Sequence, residues 1–248
     1  MISIDLSGTV VAVTGAAGGV GSGIVRRFAD AGASLVLQHH RSDEPVFDAP
    51  GGARTVRTDL TSVDGPARVI AAAVDAFGRL DAVVNNAGIQ PGAGFMDITD
   101  ADFAEMLAIN VTACHRMTQQ FARHVIAMGG SGSVVHIASI EGSQPAIGHS
   151  HYSTSKAALI MHARAAAVEL GPQGIRVNAV SPGLIGRPGI EEAWPEGVGR
   201  WLQAAPLGRM GEPDDIGDAC VFLCSPLACW ITGVNLVVDG GVSARSTW

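Results

Sequence analysis

An α/β chain built on a doubly wound parallel sheet, flanked by helices on both faces, is predicted by three features. Short, mostly β-branched or apolar runs recur at 9–14, 34–38, 54–58, 80–85, 133–138, 175–180 and 234–238, with helical periodicity in most of the intervals. A glycine-rich turn stands between the first run and the first helix. The 248 residues are 47% hydrophobic and only 16% charged, enough apolar side chain for a large core. Residues 1–248 read as one domain without linker or repeat.

In chain order, residues 9–14 are apolar throughout, as expected of a strand buried on both faces. They run into Gly15-Ala16-Ala17-Gly18-Gly19-Val20-Gly21, and apolar periodicity then begins at Ile24, Val25, Phe28 and Ala29. Strand, glycine turn and helix form the context of a Rossmann-type dinucleotide site: glycines admit a pyrophosphate, and the helix N-terminus offers amides. A second strand at 34–38 leads to His39-His40-Arg41-Ser42. The next connection carries Pro45, Pro50, Gly51 and Gly52, which leaves room for a loop or a single turn but not a crossover helix. The third strand closes at Asp59-Leu60. A helix at 63–77 precedes the strand that ends in Asn85-Asn86-Ala87-Gly88. A long helix is expected over 100–127, a strand at 133–138 ending at Ser139, and a helix from about 150 to 170, ended by Gly171-Pro172. Strand 175–180 finishes at Ser181-Pro182-Gly183. Residues 184–206, with Trp194, Trp201 and three prolines, read as an irregular lid, followed by a helix at 213–223. Ligands of such sheets gather at the C-terminal ends of the strands, where Gly15, Asn86, Ser139 and Pro182 all fall.

Composition excludes several functions. A net charge of −7 and the absence of lysine clusters argue against a nucleic-acid partner. No apolar run approaches the roughly 18 residues of a membrane span. No basic segment followed by an apolar stretch marks a secretory signal, so the expected location is cytoplasmic. Cys114, Cys220, Cys224 and Cys229 find no histidine or acid to complete a metal set, and read as buried free thiols; no metal is expected.

Tyr152 is the only tyrosine and Lys156 the only lysine. At i and i+4 of a helix they share a face. An ammonium there favours phenolate, so the tyrosine pKa is expected below its reference near 10, making a usable general acid/base. Ser139, thirteen residues earlier at a strand end, can place a second donor where charge develops on a carbonyl oxygen. As a lone residue it would read as a strand-end cap.

Thr14-Gly15-x-x-x-Gly19-x-Gly21, Asp59, Asn86-Ala87-Gly88, Asn110, Ser139, Tyr152-x-x-x-Lys156 and Pro182-Gly183 stand in order. In this set the chain resembles the short-chain dehydrogenase/reductases over essentially its whole length. The resemblance implies hydride transfer between a nicotinamide cofactor and a carbonyl or alcohol. It implies that Tyr152 exchanges the proton and Ser139 hydrogen-bonds the substrate oxygen. Lys156 would hold the nicotinamide ribose and depress the tyrosine pKa, and Asn110 would anchor a proton-relaying water. Cofactor contacts are expected from Gly15, Ala17, Gly18, Gly19, Val20, Gly21, His40, Arg41, Ser42, Asp59, Leu60, Asn86, Ala87, Gly88, Tyr152, Lys156, Pro182, Gly183 and Ile185. Relatives are commonly homotetramers built from the helices corresponding to 100–127 and 150–170 plus the C-terminal segment, and the alanines at 157, 158, 163, 165, 166 and 167 suit close packing.

Three departures stand out. The segment after the second strand is short, which should expose the adenine side of the cofactor. Arg187 replaces a threonine that often grips the carboxamide, leaving Ile185 backbone groups to do more. Glu141 lies two residues past Ser139, where a carboxylate needs partners or a shifted pKa, unless it faces solvent. With no acid at the end of the second strand, Arg41 and Ser42 are free to donate to a 2′-phosphate, so NADP(H) is favoured over NAD(H). Gln90, Glu141, Gln144, His149, Arg187 and Trp194 are expected to line the substrate pocket, a polar set that suits a small hydroxylated ketone or polyol. Two other functions compete: a regulatory cofactor-binding protein that has lost catalysis, and an epimerase or dehydratase, for which the C-terminus is short.

Overall fold

The computed structural model describes residues 4–45, 47 and 49–245. Its sheet is made of β1 (Val10–Val13), β2 (Ser34–His39), β3 (Ala53–Arg57), β4 (Ala82–Asn85), β5 (Gly132–Ile137), β6 (Ile175–Pro182) and β7 (Asn235–Val238). All neighbours pair in parallel, in the order β3-β2-β1-β4-β5-β6-β7. The direction of winding reverses between β1 and β4, and such a reversal opens a crevice at the strands' C-terminal ends.

The helices are α1 (Gly19–Asp30), α2 (Gly65–Phe77), α3 (Asp100–Leu107), α4 (Ala113–Ala127), α5 (Ser150–Leu170), α6 (Ile190–Ala193), α7 (Pro195–Ala204) and α8 (Pro213–Cys224). Side chains alternate across each strand and so build two cores. Val10, Ala12, Val36, Val83, Val134 and Val177 pack under α2, α4 and α5 with Met117, Phe121 and Leu159. Val11, Val13, Leu35, Val84, Val135 and Val180 pack on the other face under α1 and α8 with Phe28 and Ile216. This double burial is why the strands are apolar on both sides. Gly23 lets α1 approach α8 at Pro213, where a Cβ would strike backbone.

The structure departs from the sequence reading in the following places. The helix expected over 100–127 is broken by a π turn, Ala108–Thr112, with Asn110 at its centre. Residues 184–206 are not irregular: Gly189, in the left-handed region, opens α6, and Pro195 at the first turn of α7 pre-sets the helical φ. The sixth strand runs on to Pro182 because its last residues pair with β7. Cys114 and Cys220 are buried, but Cys229 is exposed, just past a turn at the surface beside exposed Trp230. Among the described residues no helix lies between β2 and β3, as expected. Ala163 and Ala167 are buried against their own sheet, whereas Ala157 and Ala165 face outwards.

Candidate active site

The turn after β1 is organised from three directions. Gly15 takes a positive φ of 62°, which a side chain would resist. Its amide donates to Gln38 Oε1 at 2.9 Å, and Gln38 Nε2 donates to the Thr58 carbonyl at 2.8 Å. Asn86 Nδ2 donates to the carbonyls of Thr14 and Gly15, both at 3.0 Å, while Thr14 Oγ1 accepts from the amides of Asn86 and Ala87. A Cβ on Gly21 would run into the Gly15 carbonyl. Asn86 therefore holds the turn shut from below, and the glycines leave the space above it open.

That space is a cavity of about 560 Å³. Gly15, Gly18, Gly19, Val20 and Gly21 line it at one end, His40, Arg41 and Ser42 at another, with Asp59 and Leu60. Asn86, Ala87 and Gly88 line it as well. Gly19 opens α1 with nothing within 4 Å of a Cβ built on it. A backbone cradle at a helix N-terminus, with free arginine and serine groups 20 residues on, fits the phosphates and riboses of a dinucleotide. Asp59 is held as a carboxylate, below its usual pKa, chiefly by hydrogen bonds from the amide and hydroxyl of Thr61. Sequence reasoning missed Gln38, His39, Thr61, Ile89, Glu105, Ala108, Ile109 and Ala113, which also line the cavity. Gln38 carried a signal, as the polar residue closing an apolar strand; His39 directly precedes the predicted His40, and Thr61 directly follows the predicted Asp59-Leu60. The rest emerge only when α3, the π turn and α4 fold over β4. Of the expected cofactor contacts, Ala17, Tyr152, Lys156, Pro182, Gly183 and Ile185 are outside this lining.

The catalytic candidates converge beyond Gly88. Ser139 ends β5 and its Oγ accepts from the Glu141 amide at 3.1 Å, capping the turn that follows. Tyr152, 9% exposed, and Lys156, 5% exposed, sit on the first two turns of α5. Asn110 is fully buried; its Oδ1 accepts from Ile89 N at 2.9 Å, and its Nδ2 donates to Ile89 O and Ser155 Oγ, both at 3.0 Å. The widened π turn is what lets a polar side chain reach sideways to the Ile89 backbone. A Cβ on Gly88 would lie 3.1 Å from Asn110 Oδ1 and 3.7 Å from Lys156 Nζ, so the absence of a side chain at Gly88 keeps this corner open.

The tyrosine pKa moves opposite to the sequence expectation. Lys156 Nζ donates to the Ile137 carbonyl at 2.8 Å and lies 5.4 Å from the centre of the Tyr152 ring. Burial dominates, pushing the phenol up to about 12; the Ser139 hydroxyl pulls it down and the Glu141 charge pushes it up. Burial likewise pushes Lys156 down to about 8.

Glu141 is partly buried and paired rather than free in solvent. It accepts from His149 Nδ1 at 3.1 Å, Ser153 Oγ at 3.3 Å and Gln90 Nε2 at 3.2 Å. Gln90, Glu141 and His149 therefore come together beside Tyr152, joined by Ser153, which the sequence did not point to. Gln144, Arg187 and Trp194 make no hydrogen bond to that group among the described residues. Gln144 reaches instead for the Ser243 carbonyl, at 3.5 Å. Arg187 is exposed ahead of α6, and Trp194 is half-exposed with Arg200 over its ring. Gly183 packs against Trp201 and Asp239. Ile185 forms a bridge with Gly211 through the Leu184 carbonyl and the Gly186 amide. Its own amide and carbonyl have no partner among the described residues.

A family model described as enoyl-(acyl carrier protein) reductase matches residues 15–243. L-rhamnose 1-dehydrogenase (NAD(P)(+)) of Azotobacter vinelandii is 36% identical over 98% of this chain and 98% of its own length. The chain belongs to the short-chain dehydrogenase/reductase family. A 2,5-dichloro-2,5-cyclohexadiene-1,4-diol dehydrogenase of Sphingobium indicum is 34% identical over 96% of this chain and 97% of its own. The 7alpha-hydroxysteroid dehydrogenase of Escherichia coli is also 34% identical, over 96% of each chain. The present short-chain dehydrogenase/reductase is an NAD(P)-dependent oxidoreductase acting between alcohol and carbonyl groups. Among the described residues no group of three or more His, Cys, Asp and Glu could hold a metal ion, and no helix is long and apolar enough to cross a membrane.

Proposed function

We propose that this chain is an NADP(H)-preferring reductase or dehydrogenase of a small, hydroxylated ketone or polyol. The observation that carries the cofactor preference is the end of β2. Gln38 and His39 close the strand, and Arg41 and Ser42 line the cavity opened by the glycine turn. Arg41 makes no ion pair among the described residues, so its planar fork is available to a phosphate. A carboxylate at that position would repel one. Asp59 lines the same cavity, and Asp43 and Glu44 share a smaller adjoining one of about 370 Å³ with Arg41, but among the described residues none of the three forms an ion pair with it.

The bound nicotinamide would supply or accept the hydride. Tyr152 exchanges the proton with the substrate oxygen, and Ser139 donates to that oxygen as charge develops. Lys156 holds the ribose side and supplies the positive charge nearest the phenol. Asn110 secures the Ile89 backbone beside it and anchors the route by which protons reach solvent. Ile185 backbone groups meet the carboxamide, and the lid is formed by residues 184–206. The polar wall of Gln90, Glu141 and His149 supports a hydroxylated substrate, as do two relatives named for L-rhamnose and a cyclohexadiene diol. We place the enzyme in the cytoplasm as one 1–248 domain, assembled into a homotetramer through α4 and α5, which light scattering would read as four chains.

Arg41→Ala tests the cofactor reading. One charge-assisted contact is worth about 1.5–3 kcal/mol, one to two decades of discrimination. The variant should raise the KM for NADPH at least tenfold while leaving NADH nearly unaffected. Equal losses with both cofactors, or a wild-type preference for NADH, would overturn it.

A further inference from the structure

Glu141 places its carboxylate close enough to Tyr152 to act on the phenol, with only 16% of the side chain exposed. Its oxygens are committed to protein donors: Oε1 to Gln90 Nε2 at 3.2 Å and His149 Nδ1 at 3.3 Å, Oε2 to His149 Nδ1 at 3.1 Å and Ser153 Oγ at 3.3 Å. A carboxylate so surrounded has little capacity left for a ligand, and its effect falls on His149. An ionised carboxylate only accepts, so the imidazole proton is drawn to Nδ1 and Nε2 is left with a lone pair. Nε2 faces the loop after β4, where a Cβ on Gly92 would lie 3.3 Å away. The Ala93 amide donates to the Gly148 carbonyl at 2.9 Å and holds that loop against the segment carrying His149. The imidazole stands edge-on to the Tyr152 ring, centroids 6.0 Å apart.

We propose that His149, oriented by Glu141, is a specificity-determining residue that accepts a hydrogen bond from a second substrate hydroxyl, on the carbon adjacent to the one oxidised or reduced. The substrate class is then the vicinal diol and its α-hydroxyketone. A simple ketone or secondary alcohol would leave Nε2 desolvated and unpaired, so the site discriminates against it as well as for the diol. The proposal rests on the reading that Tyr152 and Ser139 hold the reacting oxygen.

The test is kcat/KM on matched pairs, hydroxyacetone against acetone and acetoin against butanone. Wild type should favour the hydroxylated member by about tenfold or more, as expected for one well-made hydrogen bond. His149→Leu should bring that ratio within about threefold, with the loss falling on the hydroxylated member. Glu141→Gln keeps the side chain's volume and removes the charge that directs the tautomer, and should give an intermediate ratio even if His149→Leu proves unstable. Equal losses on both members, or no wild-type preference, overturn the proposal. Binding to the cofactor-loaded protein, followed by tryptophan fluorescence, separates it from the catalytic reading. If no member is turned over, yet acetoin binds more tightly than butanone and His149→Leu abolishes the difference, the role of His149 stands and that of Tyr152 falls. No turnover and no binding difference sinks both.

Discussion

Tyr152 sits in surroundings that resist its ionisation. Burial and the nearby Glu141 charge raise its pKa to about 12, against the downward pull of Ser139. Because the chain has one tyrosine, ultraviolet titration of phenolate reports this group alone. In the cofactor-free protein the phenolate signal should appear well above the reference pH of about 10. Glu141→Gln should move the midpoint downwards, since removing a neighbouring negative charge favours the phenolate; an upward move would refute the assigned coupling. Removal of the hydroxyl in Tyr152→Phe should cost roughly 10²–10⁴-fold in kcat with cofactor affinity nearly unchanged. Lys156→Ala should damage both, because its ammonium stands at the inner end of the cofactor crevice. Retention of turnover by Tyr152→Phe within about threefold would show that another group moves the proton.

At the scale of elements, the site depends on how closely backbones approach. The turn after β1 has Gly21 facing the Gly15 carbonyl and Asn86 Nδ2, with no room for a Cβ. Gly21→Ala should therefore lower the melting temperature, by the equivalent of about 1–3 kcal/mol for overpacking, and weaken cofactor binding with it. Gly19→Ala meets nothing within 4 Å. It should leave stability within about 0.5 kcal/mol and weaken cofactor binding alone, since Gly19 lines the cavity. Melting curves and cofactor titrations of the two variants separate the turn's structural part from its binding part. The π turn makes a similar point. Widening one turn between α3 and α4 converts Asn110 from a poor helix residue into the clamp on the Ile89 backbone.

Across the whole molecule, a polar thread crosses one of the two apolar layers. Asn85 Nδ2 donates to His136 Nδ1 at 3.1 Å; His136 Nε2 meets His162 Nδ1 at 3.0 Å, and His162 Nε2 meets His115 Nδ1 at 3.1 Å. The thread runs from the sheet through α5 to α4, ending at exposed His115. Burial, with the charges of His162 and Lys156, pushes His136 down to about 3. Folded protein therefore binds fewer protons at this group than unfolded protein between about pH 3 and 6.5. Its contribution to stability is fully present above that window and is lost as pH falls through it, by about 1.4 kcal/mol per pH unit. Urea unfolding at about pH 5 and about pH 6 measures the slope. His136→Gln will be less stable throughout, but its slope should be shallower by that amount. An unchanged slope would assign the pH dependence to other groups.

The sequence by itself determined what is local or periodic. Strand and helix alternation, the glycine turn, the i,i+4 pairing of Tyr152 with Lys156 and the missing acid after β2 are written in neighbouring residues, and their geometry follows from one strand or one helix. Tertiary structure decided everything that depends on what packs around a group. Glu141 could have faced solvent until Gln90, His149 and Ser153 were brought to it from two other segments. Gln144 and Arg187 looked equally suited to join Glu141, yet Gln144 bonds to the Ser243 carbonyl and Arg187 is exposed. The direction of the Tyr152 shift was the largest reversal. A cation four residues away suggests a lowered pKa, but the fold directs that ammonium to the Ile137 carbonyl and buries the phenol. Desolvation is set by the entire surroundings, and no spacing in the sequence encodes it.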